Sequence, residues 1–71
     1  MPFTYEFVNN ALNAHHHNLS GYWSTMKWND EVATVGYMLE DGTDEDITVD
    51  KNGNVTASEK VMEEMEAIDL G

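Results

Sequence analysis

Cysteine is absent from this chain, arginine is absent, and only three lysines face fourteen acidic residues. Without cysteine there is no disulfide framework, no thiol nucleophile and no thiolate zinc cluster to staple a small core. Zero cysteines fit a reducing compartment. No run of about 18 apolar residues occurs, so no membrane-spanning helix is expected. The first residues, Met1 to Glu6, lack a basic segment followed by an apolar one, so no secretory signal is read and a cytoplasmic location is expected. The scarcity of bases leaves a formal charge of −11 on 71 residues. A field of that sign repels nucleic acid and anionic membrane surfaces and attracts something basic.

The charge is also unevenly placed. Residues 1–28 carry one acid, Glu6, and one base, Lys27; the other thirteen acids lie beyond them, against Lys51 and Lys60 alone. Uniform salt adaptation would not leave residues 1–28 neutral. Disorder is opposed by two Trp, three Tyr and two Phe, which supply a core. The length is that of one domain, residues 1–71, with a thin stability margin because small domains bury proportionately little surface.

The apolar pattern predicts an α+β fold. Thr4 is an N-cap candidate, with Phe3 and Val8 at hydrophobic-staple spacing. Val8, Ala11, Leu12, His15 and Leu19 recur at three and four, giving a helix over 4–20 closed by Gly21. Residues 22–28 read as a strand, with Tyr22, Met26 and Trp28 on one face and Trp23, Thr25 and Lys27 on the other. In the next strand Ala33, Val35, Tyr37 and Leu39 alternate inward, and Gly36 marks a bulge or a close approach. An acidic loop runs from Asp41 to Asp46, followed by the strand Ile47–Val49. Asn52-Gly53 predicts a type I′ hairpin turning into a short strand around Val55. Thr56 and Glu59 have capping-box spacing at the head of a second helix, whose stripe is Val61, Met65 and Ile68 with Met62 beside it and Gly71 at its end. The order is α-β-β-β-β-α, an antiparallel sheet with both helices on one face.

Most chemistry-bearing motifs have structural explanations. His15-His16-His17 are consecutive, so on a helix their side chains point about 100° apart rather than together; no metal is expected there. Asp50, Asn52 and Asn54 mimic the opening of a calcium loop. That loop also needs Gly at its sixth position and Glu at its twelfth, where this chain has Val55 and Val61. Ser20, Ser24 and Ser58 sit where serine is ordinary, no glycine-rich phosphate loop is present, and no enzyme or cofactor is expected. Stacking rings without a positive groove do not make a nucleic-acid binder.

The acids remain. Glu40, Asp41, Asp44, Glu45, Asp46 and Asp50 fall within eleven positions without a base. Glu59, Glu63 and Glu66 line the helix face opposite the apolar stripe, rising about 4.5–6 Å per step. That pitch is comparable to the spacing of phosphates along a nucleic-acid strand, so the row can occupy lysine and arginine sites that normally take DNA or RNA. Strand alternation puts Trp23 on one face and Tyr22 and Trp28 on the other, so at least one tryptophan is expected on the outer face, with Trp23 taken as a candidate anchor beside the acids.

In size, charge and the acid-rich hairpin–helix half (residues 40–69), the chain resembles the small acidic proteins of bacteriophages and mobile elements: anti-CRISPR, anti-restriction and other DNA-mimicking inhibitors. The resemblance implies stoichiometric blocking of a host defence or transcription machine, without cofactor or turnover. The expected partner is a larger basic nucleic-acid-binding protein or complex in the host cytoplasm, met by a monomer or small homo-oligomer. The alternative is a small accessory subunit that binds through its aromatic N-terminal part, its acids serving solubility alone.

Overall fold

The computed structural model describes residues 3–21 and 23–71. Two helices, α1 (Tyr5–His15) and α2 (Glu59–Leu70), flank four strands: β1 (Trp23–Trp28), β2 (Val32–Met38), β3 (Asp44–Asp50) and β4 (Val55–Thr56). The strands form an antiparallel meander in the order β1-β2-β3-β4. This is the expected α-β-β-β-β-α order.

Alternation along β2 and β3 builds the core. Ala33, Val35 and Tyr37 stand opposite Val49, Ile47 and Glu45. All of these except Glu45 are buried, and Phe3, Val8, Leu12, Leu19, Leu39, Val61 and Met65 join them in one cluster. Both helices therefore cover the same face. The other face carries Thr34, Gly36 and Met38 of β2 beside Thr48, Asp46 and Asp44 of β3. Among the described residues no polar or charged side chain is buried.

Thr4 caps α1, its hydroxyl accepting from the Phe7 N–H at 3.0 Å. The staple residues Phe3 and Val8 are both fully buried, and Phe3 meets the Phe7 ring edge-on at 5.9 Å. The helix stops at His15, five residues short of the expected end, with His16 in an extended conformation. Tertiary contacts outcompete its continuation: Asn18 donates to the Met65 carbonyl of α2, and Leu19 reaches the core through a short 3₁₀ turn, Leu19–Gly21. His15, expected in the apolar stripe, is exposed.

Four further expectations are corrected. A bulge between Trp23 and Thr25 shifts the register of β1, so Trp23 and Met26 both pack against the core instead of on opposite faces. Tyr22 lies outside the described residues. The bulge faces Gly36, where a Cβ would meet Thr25 Oγ1 at 2.9 Å. The second half of the acidic segment 41–46 is strand, because β3 begins at Asp44. Its turn is tight: the Leu39 N–H donates to the Thr43 carbonyl at 2.8 Å and the Gly42 N–H to the Leu39 carbonyl at 2.9 Å. Thr56 is taken up by pairing with Thr48, so Ser58 caps α2 instead, accepting from the Val61 N–H at 3.2 Å. Ile68, expected in the buried stripe, is 40% exposed.

The Asn52-Gly53 turn forms, but not as type I′. Among the described residues only glycines have positive φ, so Asn52 does not; Gly53 does, at +85°. The Asp50 N–H donates to the Asn54 carbonyl and the Gly53 N–H to the Asp50 carbonyl, both at 3.0 Å. This is a three-residue loop with glycine at its left-handed third position, and residues 39–43 repeat it with Gly42 at +89°. Urea denaturation should therefore register a loss of about 1–2 kcal/mol for Gly53→Ala. Asn52→Ala should change stability little, whereas a type I′ turn would make both substitutions costly.

Candidate functional site

The acidic residues fall into three groups. The first gathers where the β2–β3 turn meets α2. Glu64 receives the Tyr37 hydroxyl at 2.9 Å on one carboxylate oxygen and the Glu40 N–H at 2.9 Å on the other. Lys60, one turn earlier on α2, pairs with Asp41 at 3.4 Å. Asp41 also accepts from the Thr43 N–H at 2.9 Å. The Thr43 hydrogen bonds, with a smaller share from Lys60, hold the Asp41 carboxyl below its usual value. Glu40, Asp41, Glu45 and Glu64 are thus collected at one end of the sheet. Glu64 did not stand out in the sequence. The signal was its spacing of four from Lys60, on the flank between the outer glutamates and the core stripe.

The second group stands on the open face of the sheet. Asp44 and Asp46 project there, opposite Met38 and Gly36. Two strand positions separate them, about 7 Å. Glu45 does not join them: it lies opposite Tyr37, on the helix-covered side, and is half-buried. Gly36 places no side chain beside Asp46, which is exposed. The third group is the row Glu59, Glu63 and Glu66 on α2, all exposed and turned away from Val61 and Met65. Helix row and open-face pair belong to opposite layers, and the turn group lies between them at the sheet's end.

Asp50 stands apart, at the far end of β3, about 20 Å of strand from Asp44. Its carboxylate accepts from the Asn52 and Asn54 N–H groups, each at 2.9 Å, and from Asn54 Nδ2 at 3.1 Å. Those bonds, the Asn54 backbone one foremost, lower its pKa. They account for the calcium-loop-like spacing as turn chemistry. Trp23 is also separate: its Nε1–H donates to Asn9 Oδ1 at 2.9 Å, and its ring stacks on Tyr5 at 5.2 Å. It forms one wall of an open cleft with Tyr5, Glu6, Asn9 and Ser20. Of the two tryptophans, Trp28 is the more exposed, at 47%.

The histidine tract acquires a partner that sequence spacing does not reveal. His16 Nε2 lies 3.2 Å from Asp69 Oδ2 and His17 Nε2 2.9 Å from Oδ1, with the two rings stacked at 4.7 Å. Asn18 Nδ2 donates to Asp69 at 2.8 Å. Ligand atoms of His16, His17 and Asp69 all lie within 4.8 Å of one another, a donor set that a first-row metal accepts. The hydrogen bonding specifies something else. His16 Nδ1 accepts from the Asn18 N–H at 3.2 Å, so its proton sits on Nε2, the atom a metal would need bare. The arrangement is a clamp that ties the end of α1 to the last turn of α2. It supplies donors to an aspartate at the negative end of a helix.

No family model, no curated protein and no solved structure matches this chain. Among the described residues no helix is long and apolar enough to cross a membrane.

Burial acts to raise the Asp69 pKa, but the Asn18 hydrogen bond and the His17 and His16 contacts outweigh it and lower the value. A carboxyl depressed by folding stabilises fully above its unfolded pKa of about 3.9, and that share is lost as pH falls through the folded value. Asp69→Asn should therefore be less stable than the parent chain near neutrality. The gap should close as urea denaturation is repeated from pH 5 down to pH 2.

Proposed function

We propose that this protein is a small acidic inhibitor that docks its carboxylate surface on the basic nucleic-acid-binding face of a larger host protein. The role is of the DNA- or RNA-mimicking, anti-CRISPR or related anti-defence kind. It acts by stoichiometric occlusion in the host cytoplasm, with no turnover and no cofactor. The observation that carries the reading is the display of charge without counter-charge. The chain carries fourteen acids, and among the described residues its lysines pair with only two of them, Lys51–Glu31 at 3.5 Å and Lys60–Asp41 at 3.4 Å, both solvent-exposed. Such pairs contribute roughly 0–1 kcal/mol each, so Glu31 and Asp41 gain little stability from their lysines.

The three groups support a surface that wraps one end of the molecule. Asp44 and Asp46 form its open-face margin, Glu40, Asp41 and Glu45 its crest, and Glu59, Glu63 and Glu66 its helical margin. Asp50, engaged in its own turn, and Trp23, engaged with Asn9 and Tyr5, lie outside this belt. Complementary fields accelerate encounter, and a few desolvated contacts then set the lifetime of the complex.

The accessory-subunit alternative keeps one observation in its favour, the exposure of Tyr5 at 67% and Trp28 at 47%. Phe3 is turned into the core and Phe7 and Trp23 pack against it, which leaves that alternative a smaller apolar surface. Salt separates the two readings, because screening weakens exposed charge contacts and leaves apolar ones intact.

The test is capture by the tagged full chain from host lysate, washed in rising salt and challenged with double-stranded DNA. The expected result is a basic nucleic-acid-binding protein that salt and DNA both release. Asp44→Lys, Glu45→Lys and Asp46→Lys together should abolish its retention, while His15→Ala, His16→Ala and His17→Ala together should preserve it. Retention indifferent to salt, to DNA and to the triple reversal would overturn the proposal.

A further inference from the structure

Between the end of β2 and the flank of α2 lies a groove of about 240 Å³ lined by Tyr37, Met38, Glu40, Glu64 and Ile68. It combines two features that seldom share a small surface. Met38 is 63% exposed and Ile68 40% exposed, so the walls offer apolar area to solvent. Glu64, half-buried, presents a carboxylate whose orientation is fixed from both sides by the Tyr37 hydroxyl and the Glu40 N–H. Each oxygen has accepted one of these bonds, and a carboxylate oxygen has capacity for a second.

We infer that this groove receives one arginine side chain of the partner, an inference that rests on the partner being a basic protein. The volume lies below the roughly 300–1,000 Å³ of small-molecule sites, and suits a single long side chain. The lining decides which one. An arginine has three methylenes to lay along Met38 and Ile68 and a planar fork of donors for the two oxygens of Glu64. A lysine has the stem but not the fork, and an apolar residue would bury the Glu64 charge without a counter-charge, which is costly.

Charge complementarity selects a cation over every other occupant. Glu40 and Glu64 line the groove, and Lys60, the nearby base, is engaged by Asp41 outside it. A carboxylate held in place before binding spends less rotamer freedom than the mobile acids of the helix row, so its ion pair is worth more. Partial burial strengthens it further against solvent screening. The belt of acids brings the partner in; this groove holds it.

The experiment uses the full chain with methyl-labelled methionine and isoleucine and the tripeptide acetyl-Gly-Arg-Gly-amide at low salt. The Met38 and Ile68 methyl resonances should shift saturably together. Citrulline in place of arginine keeps the shape and removes the charge, and should bind about tenfold more weakly or worse. Glu64→Gln should weaken the arginine peptide by a similar factor. Glutamine retains an acceptor for the Glu40 N–H, so the fold is preserved. Should that variant unfold, Ile68→Ser, at a position already exposed, provides the second test and should also reduce binding. Equal response to citrulline, or shifts spread over the acidic residues without saturation at Met38 and Ile68, would overturn the inference. The parent reading fails separately. Arginine seated here while the full chain captures no basic nucleic-acid-binding protein would overturn the inhibitor proposal and leave the groove standing. DNA-competed capture that survives Glu64→Gln would overturn the groove as anchor and leave the inhibitor proposal standing.

Discussion

One-sided burial of a four-stranded sheet is the constraint on which the rest of this molecule depends. Ala33, Val35, Tyr37, Ile47 and Val49 all face the helices, and β2 and β3 are locked in a register that places them opposite one another. A slip of one residue would exchange the two faces, burying Asp44 and Asp46 and exposing Ile47 and Val49. Apolar burial contributes about 25 cal/mol per Å², and an unpaired buried carboxylate costs several kcal/mol, so no alternative register competes. The alternation that builds the core thus also decides which acids are displayed.

Much of this was legible in the sequence because it depends on local period and local turn chemistry. Ala33, Val35, Tyr37 and Leu39 needed only alternation, Thr4 only its place before an apolar stripe, and Val61 and Met65 only helical spacing. The β3–β4 turn was located by Asn52-Gly53, though its left-handed residue is glycine alone. What escaped depends on contacts distant in sequence. Nothing near His15 announces that α1 ends there; the cause is Asp69, more than fifty residues away, together with the Met65 carbonyl that Asn18 reaches. Thr56, with Glu59 three residues on, read as the cap; its pairing with Thr48 in β4 takes it out of that role, and Ser58 caps instead. The β1 bulge reversed the expected facing of Trp23, and a bulge is a register event that composition does not encode.

The candidate surface was legible as composition and not as shape. Six acids in eleven positions read as one cluster, with Asp41 to Asp46 in a loop, whereas β3 distributes them by the period of a strand: Asp44 and Asp46 to the open face, Glu45 to the covered side, Asp50 to a distant turn. Glu64 was overlooked because its neighbours in sequence, Glu63 and Glu66, share its chemistry. Only tertiary structure distinguishes it, by placing the Tyr37 hydroxyl and the Glu40 N–H on its two oxygens. A sequence reveals how much charge there is; the fold decides which part of it is held still.

That distinction bears on how a small, marginal domain tolerates −11. Like charges on a compact body repel, and two exposed lysine pairs do little to offset the repulsion. The chain limits the cost by keeping its charged side chains outside the core and by giving donors to acids that could not otherwise sit quietly. Asp50 has its turn amides, Asp69 the histidines and Asn18, Glu64 the tyrosine and a backbone N–H. Acids so satisfied have a structural reason to be present. Glu59, Glu63, Glu66, Asp44 and Asp46 are exposed and have no comparable hydrogen-bond or ion-pair partners among the described residues. Their mutual repulsion is relieved by counter-charge from outside, whether dissolved ions or, as proposed, a cationic partner surface. Such a surface would gain from each of them on approach, and the free energy that folding leaves unrelieved would become available to association.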